Sequence, residues 1–128
     1  MFRIPVAALC LVAGLTGCQS RPAPSAAGVD SLPAQWQAFG TEPFWGVRLQ
    51  EGQLVWTDPE HPQGKVFVAR RQALGKGARW SGLLDGKAAQ IRLSVQPCSD
   101  GMSDTTYPIT VRWEWAGQIL SGCARPLQ

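Results

Sequence analysis

Short segments in which apolar and polar residues alternate constrain this chain most, because a period of two fits a strand with one buried face. The clearest segments are residues 90–95 and 109–115. The side chains expected to face inward are Ile91, Leu93 and Val95 in the first segment and Ile109, Val111, Trp113 and Trp115 in the second. Weaker strand candidates cover residues 44–50, 53–57, 65–71, 78–84 and 118–123. Helical periodicity is not convincing anywhere after Trp36.

Three dipeptides between these segments predict tight hairpin turns. They are Glu51-Gly52, Asp85-Gly86 and Ala116-Gly117. Asp85-Gly86 suits a type I′ turn, in which both central residues need a positive φ. Strands joined mostly by hairpins form an antiparallel meander, and closing the meander hides its edge strands. We therefore predict an all-β domain of about seven or eight strands, closed as a barrel or folded as a sandwich.

Size and charge leave room for one domain and do not favour a nucleic-acid partner. Removal of residues 1–17 as a leader leaves 111 of the 128 residues, enough for a single core. Arg3 leaves with the leader, so 11 of the 12 basic residues remain against 9 acidic ones. The basic residues are scattered along the sequence, whereas nucleic-acid binding requires a basic patch. The six tryptophans are interpreted as core packing rather than as an aromatic binding surface, because a few indoles can fill a small core.

The N-terminal residues have the layout of a lipoprotein signal peptide. Arg3 supplies a positive charge, and the uncharged apolar stretch over residues 4–15 is too short to span a bilayer as a helix. The sequence Leu15-Thr16-Gly17-Cys18 then resembles the bacterial lipobox, in which a small residue precedes the cleaved bond and a thiol accepts the diacylglycerol. We expect a signal peptide over residues 1–17 and lipidation of Cys18. The alternative is an ordinary secretory signal that contains a cysteine.

Lipidation would place the protein at a membrane, because more than one acyl chain gives stable anchoring. Gln19 stands where the lipoprotein sorting pattern that this resembles has an Asp for inner-membrane retention. We therefore expect attachment to the outer membrane, facing the periplasm. Residues 18–33 are rich in Pro, Ser, Ala and Gly and predict a flexible lipid-anchored linker, followed by the β-domain over residues 34–128. The expected partners are the membrane, through the N-terminal lipid, and an envelope protein or cell-wall component.

Two cysteines remain for the domain, because Cys10 leaves with the leader and Cys18 takes the lipid. In an oxidising compartment Cys98 and Cys123 are expected to form a disulfide. The closed loop of about 26 residues would stabilise the fold by roughly 3.5 kcal/mol. The alternatives are a metal site, which needs more ligands than these thiols and the one histidine supply, and a redox pair, which usually has C-x-x-C spacing. We expect no metal and no other cofactor.

Two stretches of the sequence carry motifs that are more specific than amino-acid composition alone. The first is Gly40-Thr41-Glu42-Pro43-Phe44-Trp45, and the second runs from Cys98 to Pro108 as C-S-D-G-M-S-D-T-T-Y-P, with Gly122-Cys123-Ala124 near the C-terminus. Together they resemble an uncharacterised family of bacterial lipoproteins and periplasmic domains with a G-[NT]-E-P-F-W start, a C-x-D-G-M-S-D-x-x-Y-P middle and a G-C-A end. A weaker likeness is to the META/HslJ-type envelope lipoproteins. The resemblance covers about residues 36–125 and implies a small envelope β-domain, but no particular biochemical activity.

The segment over residues 98–108 has two interpretations. In the first, which we prefer, short polar side chains bond to the nearby backbone, Gly101 permits a positive φ, and the two ends are fixed by Cys98 and Tyr107. In the second, carboxylates donate oxygens to a cation or ligand and Met102 contacts a ligand or partner, although the spacing is not that of an EF-hand. The polar residues concerned are Asp100, Ser103, Asp104, Thr105 and Thr106.

The segment Glu42–Trp45 also has a structural and a functional interpretation. Pro43 favours an extended entry to a strand, and Trp45 is expected on a core face with Val47 and Leu49. Glu42 is expected either to pair with Arg48 or Arg112 or, preferably, to cap the loop over residues 100–107 by accepting backbone N–H bonds. The candidate ligand, partner or loop-stabilising residues are therefore Glu42, Phe44, Trp45, Asp100, Met102, Ser103, Asp104 and Tyr107.

The sequence does not favour catalysis. His61 lies in the Pro-rich stretch Asp58–Gly64, which predicts a solvated loop, and no G-x-S-x-G motif accompanies it. A carboxylate pair drawn from Glu42, Asp100 and Asp104 is possible but is not required by the spacing. We therefore predict no catalytic residue and no enzyme activity. The preferred function is an envelope structural or interaction module; the alternatives are a small-ligand-binding barrel and an inhibitor of a cell-wall hydrolase or protease.

Overall fold

The computed structural model describes residue 17 and residues 32–127, and these residues contain ten strands. The strands are β1 (Trp36–Thr41), β2 (Phe44–Gln50), β3 (Gln53–Asp58), β4 (His61–Leu74), β5 (Gly77–Leu84), β6 (Lys87–Ser94), β7 (Cys98–Ser99), β8 (Thr106–Tyr107), β9 (Ile109–Trp115) and β10 (Gln118–Pro126). Among the described residues, no helix has the length and apolar character needed to cross a membrane. The predicted signal peptide apart from Gly17, the predicted lipidation site Cys18 and most of the predicted linker lie outside the described residues.

Eight of the strands form a closed antiparallel barrel. The order around the barrel is β1-β10-β9-β6-β5-β4-β3-β2, and β7 pairs with β8 in a separate two-stranded sheet. Closure joins the first and last strands, with Trp36 opposite Pro126 and Phe39 opposite Cys123. The all-β prediction is confirmed, and the barrel is the form that it takes. The strand pairings that close the ring, and the residues of its hydrophobic cluster, lie within residues 32–127.

The three predicted hairpin turns are confirmed, and the reason lies in their backbone angles. Glu51, Asp85 and Ala116 have φ values of 51°, 51° and 52°, and the glycine that follows each of them also has a positive φ. Two successive residues with positive φ give the twist that a type I′ turn needs between antiparallel strands. The turn between β4 and β5, at Gly75-Lys76, was not predicted from the sequence.

Several strands differ from the prediction, and two of the differences have clear physical reasons. The solvated loop expected over residues 58–64 is wrong: β3 extends to Asp58 and β4 begins at His61. The Asp58 carboxylate accepts a hydrogen bond from the His61 backbone N–H (2.7 Å), which tightens this connection into a short turn. The strand β1 was not predicted from the sequence. Its inner face carries the small residues Ala38 and Gly40 after Trp36, and these weaken the hydrophobic pattern. At the other predicted segment, β6 ends at Ser94, and Val95 is half-buried beyond it.

Tryptophan side chains form most of the barrel core. Five of the six indoles are buried and belong to one hydrophobic cluster, while Trp115 is partly buried against it. The Trp56 ring lies nearly parallel to those of Trp45 and Trp113, with centroids 6.0 and 5.1 Å away, and the Trp36 and Trp80 rings meet edge to face at 5.1 Å. Aromatic pairs at these distances are favourable beyond the area that they bury. The packing interpretation of the tryptophans is therefore confirmed for the five buried rings.

Two glycines make room for the Trp45 indole. A Cβ atom added at Gly40 would collide with the indole, lying 2.7 Å from its Cδ1 and Cε2 atoms. A Cβ added at Gly122 would meet the Phe39 carbonyl oxygen and would lie 2.9 Å from Cζ2 of Trp45. One residue from each of two separate sequence motifs is thus required by the position of a single buried ring.

Candidate functional site

The three motif stretches come together on one side of the barrel. Phe39, next to the first motif, lies opposite Cys123 in the seam between β1 and β10. Cys123 forms the predicted disulfide with Cys98, with a Cα–Cα distance of 5.6 Å. The Tyr107 ring packs edge to face on the Phe39 ring, with centroids 4.8 Å apart. The segment over residues 98–107, which we call the clipped loop, is therefore attached to the outer face of the seam at both of its ends.

The Asp100 carboxylate organises the interior of the clipped loop. Its Oδ1 atom accepts hydrogen bonds from the backbone N–H groups of Met102 (2.9 Å) and Ser103 (3.0 Å). The Ser103 hydroxyl donates to the same carboxylate, and the Tyr107 hydroxyl lies 3.5 Å from its Oδ2 atom. Ser99 adds a bond by accepting from the Gly101 N–H, and Gly101 has a φ of 73°. This is the Asx-turn arrangement preferred from the sequence.

These bonds also change the acidity of Asp100. The backbone N–H groups of Met102 and Ser103 do most to hold the pKa of the Asp100 carboxyl below its ordinary value. Burial acts in the opposite direction and is outweighed, with smaller help from the hydroxyls of Ser103 and Tyr107. The carboxylate is therefore ionised at neutral pH, with much of its bonding capacity used within the loop. A carboxylate occupied in this way favours a structural role over metal ligation.

The outer surface of the clipped loop is open to solvent. Met102 is 67% exposed, and Ser103, Asp104 and Thr105 are also exposed. Methionine is a flexible, polarisable apolar side chain, and Met102 is the exposed apolar residue on an otherwise polar loop. The loop thus combines a fixed backbone with one apolar side chain pointing to solvent.

Two expectations about nearby carboxylates are wrong. Glu42 is exposed, and its side chain makes no hydrogen bond or ion pair within residues 32–127, so it neither caps the clipped loop nor pairs with Arg48 or Arg112. Arg112 instead pairs with Glu114 on its own strand (2.7 Å). Asp104 is exposed and receives no hydrogen bond from the loop. Within the described part of the chain, no group of three or more His, Cys, Asp and Glu side chains could hold a metal ion.

A second cluster, which the sequence did not suggest, surrounds Asp58 at one end of the barrel. Asp58 accepts hydrogen bonds from the Trp56 indole N–H (3.0 Å) and from the His61 backbone N–H, and the His61 Nδ1 atom lies 2.9 Å from its Oδ1 atom. Burial raises the pKa of Asp58, but these hydrogen bonds outweigh that effect, and the pKa lies below its ordinary value. The cluster anchors the turn between β3 and β4 to a buried indole.

A shallow groove of about 350 Å³ lies beside this turn. Its lining includes Phe39, Phe44, Trp45 and Pro59, and Phe44 is 60% exposed. Of the two aromatic residues singled out in the first motif, Trp45 thus belongs to the core, whereas Phe44 faces solvent at the rim.

Comparison of the chain with protein-family models, with curated proteins and with solved structures gives no match.

Proposed function

We propose that this chain is a non-catalytic, lipid-anchored module of the bacterial envelope that binds another envelope protein or a cell-wall component through the clipped loop. The observation that carries the proposal is a loop that is fixed at both ends and hydrogen-bonded internally, yet exposes Met102 at 67%. The lipobox-like Leu15–Cys18 and the expected linker support the location.

Pre-organisation is the physical reason for choosing this loop. Association has to order any mobile segment that it uses, and a segment that is already fixed avoids that cost. The disulfide to Cys123 and the Tyr107 contact on Phe39 fix the ends, while Asp100 fixes the middle. The bonds of Asp100 and Ser103 are directed to their own loop, so the contacts available to a partner come from Met102 and the neighbouring exposed polar side chains.

Photo-crosslinking in intact cells tests the loop directly. A photoreactive amino acid placed at Met102 is expected to give a defined protein adduct, or an adduct with cell-wall material. The matched control places the same amino acid at Lys87, an exposed residue at the start of β6. Identical adducts from both positions, or none from position 102 in repeated trials, would count against a loop-mediated partner.

Intact-mass measurement tests the anchor separately. Protein extracted from membranes is expected to begin at Cys18 and to carry fatty acids. An unprocessed leader, or a mature chain without acyl groups, would remove the lipoprotein assignment while leaving the loop experiment valid.

The shallow groove beside the turn between β3 and β4 favours small-ligand binding as a second candidate function, because Phe44 and Trp45 line an open apolar depression there. Addition of an apolar ligand should then shift the intrinsic tryptophan fluorescence, and Phe44→Ala should reduce the shift. A titration series of apolar compounds that leaves the spectrum unchanged would argue against this candidate.

A further inference from the structure

Three arginines that are far apart in sequence lie side by side on the outside of the barrel. Arg79 in β5 is opposite Arg92 in β6, and Arg92 is opposite Arg112 in β9. Their sequence neighbours on these strands point inward and are buried, so the arginines point outward. Adjacent strands are about 4.8 Å apart, so the three backbone positions fall within roughly 10 Å. With Arg70, which lies opposite Ser81, they form what we call the arginine face.

The arginine face gathers positive charge that the sequence distributes widely. It contains four cations and one acid, Glu114, which pairs with Arg112. The rest of residues 32–127 contains six basic and seven acidic residues. Arg79 bonds to the Gln72 side-chain oxygen, and no carboxylate among the described residues lies within ion-pair distance of Arg92. Like charges placed directly opposite each other on a sheet are unfavourable without a counter-charge, so this face is suited to an anionic partner.

Exposed apolar side chains border the arginine face. Val68 and Leu83, directly opposite each other on β4 and β5, are 86% and 63% exposed, and Val66 on the same side of β4 is 59% exposed. Arg70 follows Val68 by two residues and therefore shares its side of the strand. A cationic band beside an apolar band fits the boundary between lipid headgroups and acyl chains, where both kinds of side chain find favourable surroundings.

The arginine face also lies toward the end of the barrel at which the chain enters. Arg79 is the third residue of β5 and Arg92 is third from the end of β6, and in this antiparallel barrel both positions are near the end where β1 begins. Thirteen residues separate Cys18 from Leu32, and a coil of that length would span about 20 Å. Since β5 lies across the ring from β1, an anchor at Cys18 would hold the entry end of the barrel near the lipid surface, and the arginine face would approach that surface at this same end; this step rests on the proposed lipoprotein function.

We propose that the arginine face and its apolar border form a membrane-contact surface that binds anionic phospholipid headgroups. The lipid at Cys18 keeps the domain near the membrane, and binding of the arginine face to headgroups orients the barrel. The strands β4, β5 and β6 then lie toward the bilayer, and the clipped loop remains available to a partner.

Vesicle co-sedimentation tests this surface without the lipid anchor. The probe protein is the chain from Gln19 onward, exported through an unrelated signal so that the disulfide forms. We expect binding to phosphatidylcholine vesicles that contain about 30% phosphatidylglycerol at low ionic strength, and little binding to phosphatidylcholine alone. Raising the salt to about 500 mM should weaken binding strongly, because headgroup attraction is screened.

Two triple variants with the same net charge separate a defined face from a general charge effect. Replacement of Arg79, Arg92 and Arg112 by Gln should reduce binding to the anionic vesicles by at least roughly tenfold. Replacement of Arg48, Lys87 and Arg125 by Gln removes the same number of charges from exposed positions outside the arginine face, with Lys87 at the opposite end of β6 from Arg92, and should leave most of the binding.

The results of these binding measurements distinguish a defined lipid-binding face from a general charge effect and from a protein-binding face. Equal loss in the two variants, or equal binding to neutral and anionic vesicles, would overturn the proposal. Retention of the chain by soluble polyglutamate that depends on the same three arginines, without vesicle binding, would assign the face to an acidic protein and would also overturn it. Because Cys18 is not part of the probe protein, a failure here is independent of the mass measurement that tests the anchor.

Discussion

At the scale of single residues, the position of the Trp45 indole requires glycine at two neighbouring positions. The ring lies across the barrel wall where Gly40 and Gly122 leave space, and it also stacks near Trp56. Any side chain at either glycine would occupy the volume that the indole already fills. Two motif positions that could have been taken for functional residues thus have a packing explanation.

Substitution at Gly122 tests this explanation. The new Cβ of Gly122→Ala would meet a backbone carbonyl as well as the indole, and backbone cannot move aside as readily as a side chain. We expect a loss of about 2–3 kcal/mol in the free energy of unfolding, as for other overpacked cores. Denaturant unfolding of the variant beside Ser121→Ala, an exposed neighbour, measures the difference; equal stability of the two variants would contradict the packing account.

The Asp100 carboxylate gives the clipped loop a defined pH dependence. Because its pKa is lowered in the folded loop, its contribution is complete above the ordinary Asp value of about 3.9 and is lost as the pH falls through the lowered value. We expect the Met102 and Ser103 amides to lose their protection from hydrogen exchange in that acidic range while the barrel amides keep theirs. In Asp100→Asn the two amides should already exchange faster at neutral pH.

Asp104→Asn is the matched control for this experiment, since Asp104 is exposed and receives no hydrogen bond from the loop. An identical exchange profile in the Asp100 and Asp104 variants would refute the assigned role of Asp100.

At the scale of elements, the hairpins follow from local chemistry, whereas the strands depend on the whole barrel. The segments 44–50 and 109–115 were predicted with their observed boundaries, because each is followed directly by a turn dipeptide, and 109–115 also alternates clearly. The strand β1 has no such signal: its inner face presents Trp36, Ala38 and Gly40, and glycine at position 40 leaves the space that the Trp45 indole fills. Its identity as a strand comes from pairing with β2 and β10, which are tertiary contacts.

The turn at Ala116 tests how much a strained turn residue lowers the free energy of unfolding. Alanine at a φ of 52° is in the left-handed region, which asparagine tolerates better. Ala116→Asn should therefore stabilise the protein by about 0.5–1 kcal/mol. Thermal unfolding measures the effect, with Ala88→Asn in β6 as a control that should not stabilise; equal shifts at both positions would show that backbone strain is not the cause.

At the scale of the whole molecule, folding converts a scattered set of charges into an asymmetric surface. The sequence suggested no basic patch because the arginines are separated by 13 and 20 positions, from Arg79 to Arg92 and from Arg92 to Arg112. Only the register of β5, β6 and β9 places them in one row.

The hydrogen bonds within the clipped loop could be predicted from the sequence, because its turn-forming residues are contiguous. The Asp58–His61 contact was missed because the prolines around it suggested an open loop.

Removal of the central arginine should relieve repulsion within the row. We expect Arg92→Gln to raise the free energy of unfolding by a few tenths of a kcal/mol at low salt, because like charges lie directly opposite it on both sides. The gain should disappear at high salt through screening. Arg48→Gln is the comparison, since Arg48 lies opposite Gln37 and Val55; a salt-independent gain, or the same gain at both sites, would contradict the repulsion.

Pairing of the first barrel strand with the last limits when the ring can be completed. Until β10 has been synthesised, β1 and β9 each lack a neighbour, and their open edges can pair with other chains. Contacts between such distant parts of a sequence form slowly. Oxidation of Cys98 must wait as well, because its partner Cys123 lies in β10. A nascent chain that stalls before β10 is complete would therefore remain an open sheet, vulnerable to aggregation and proteolysis.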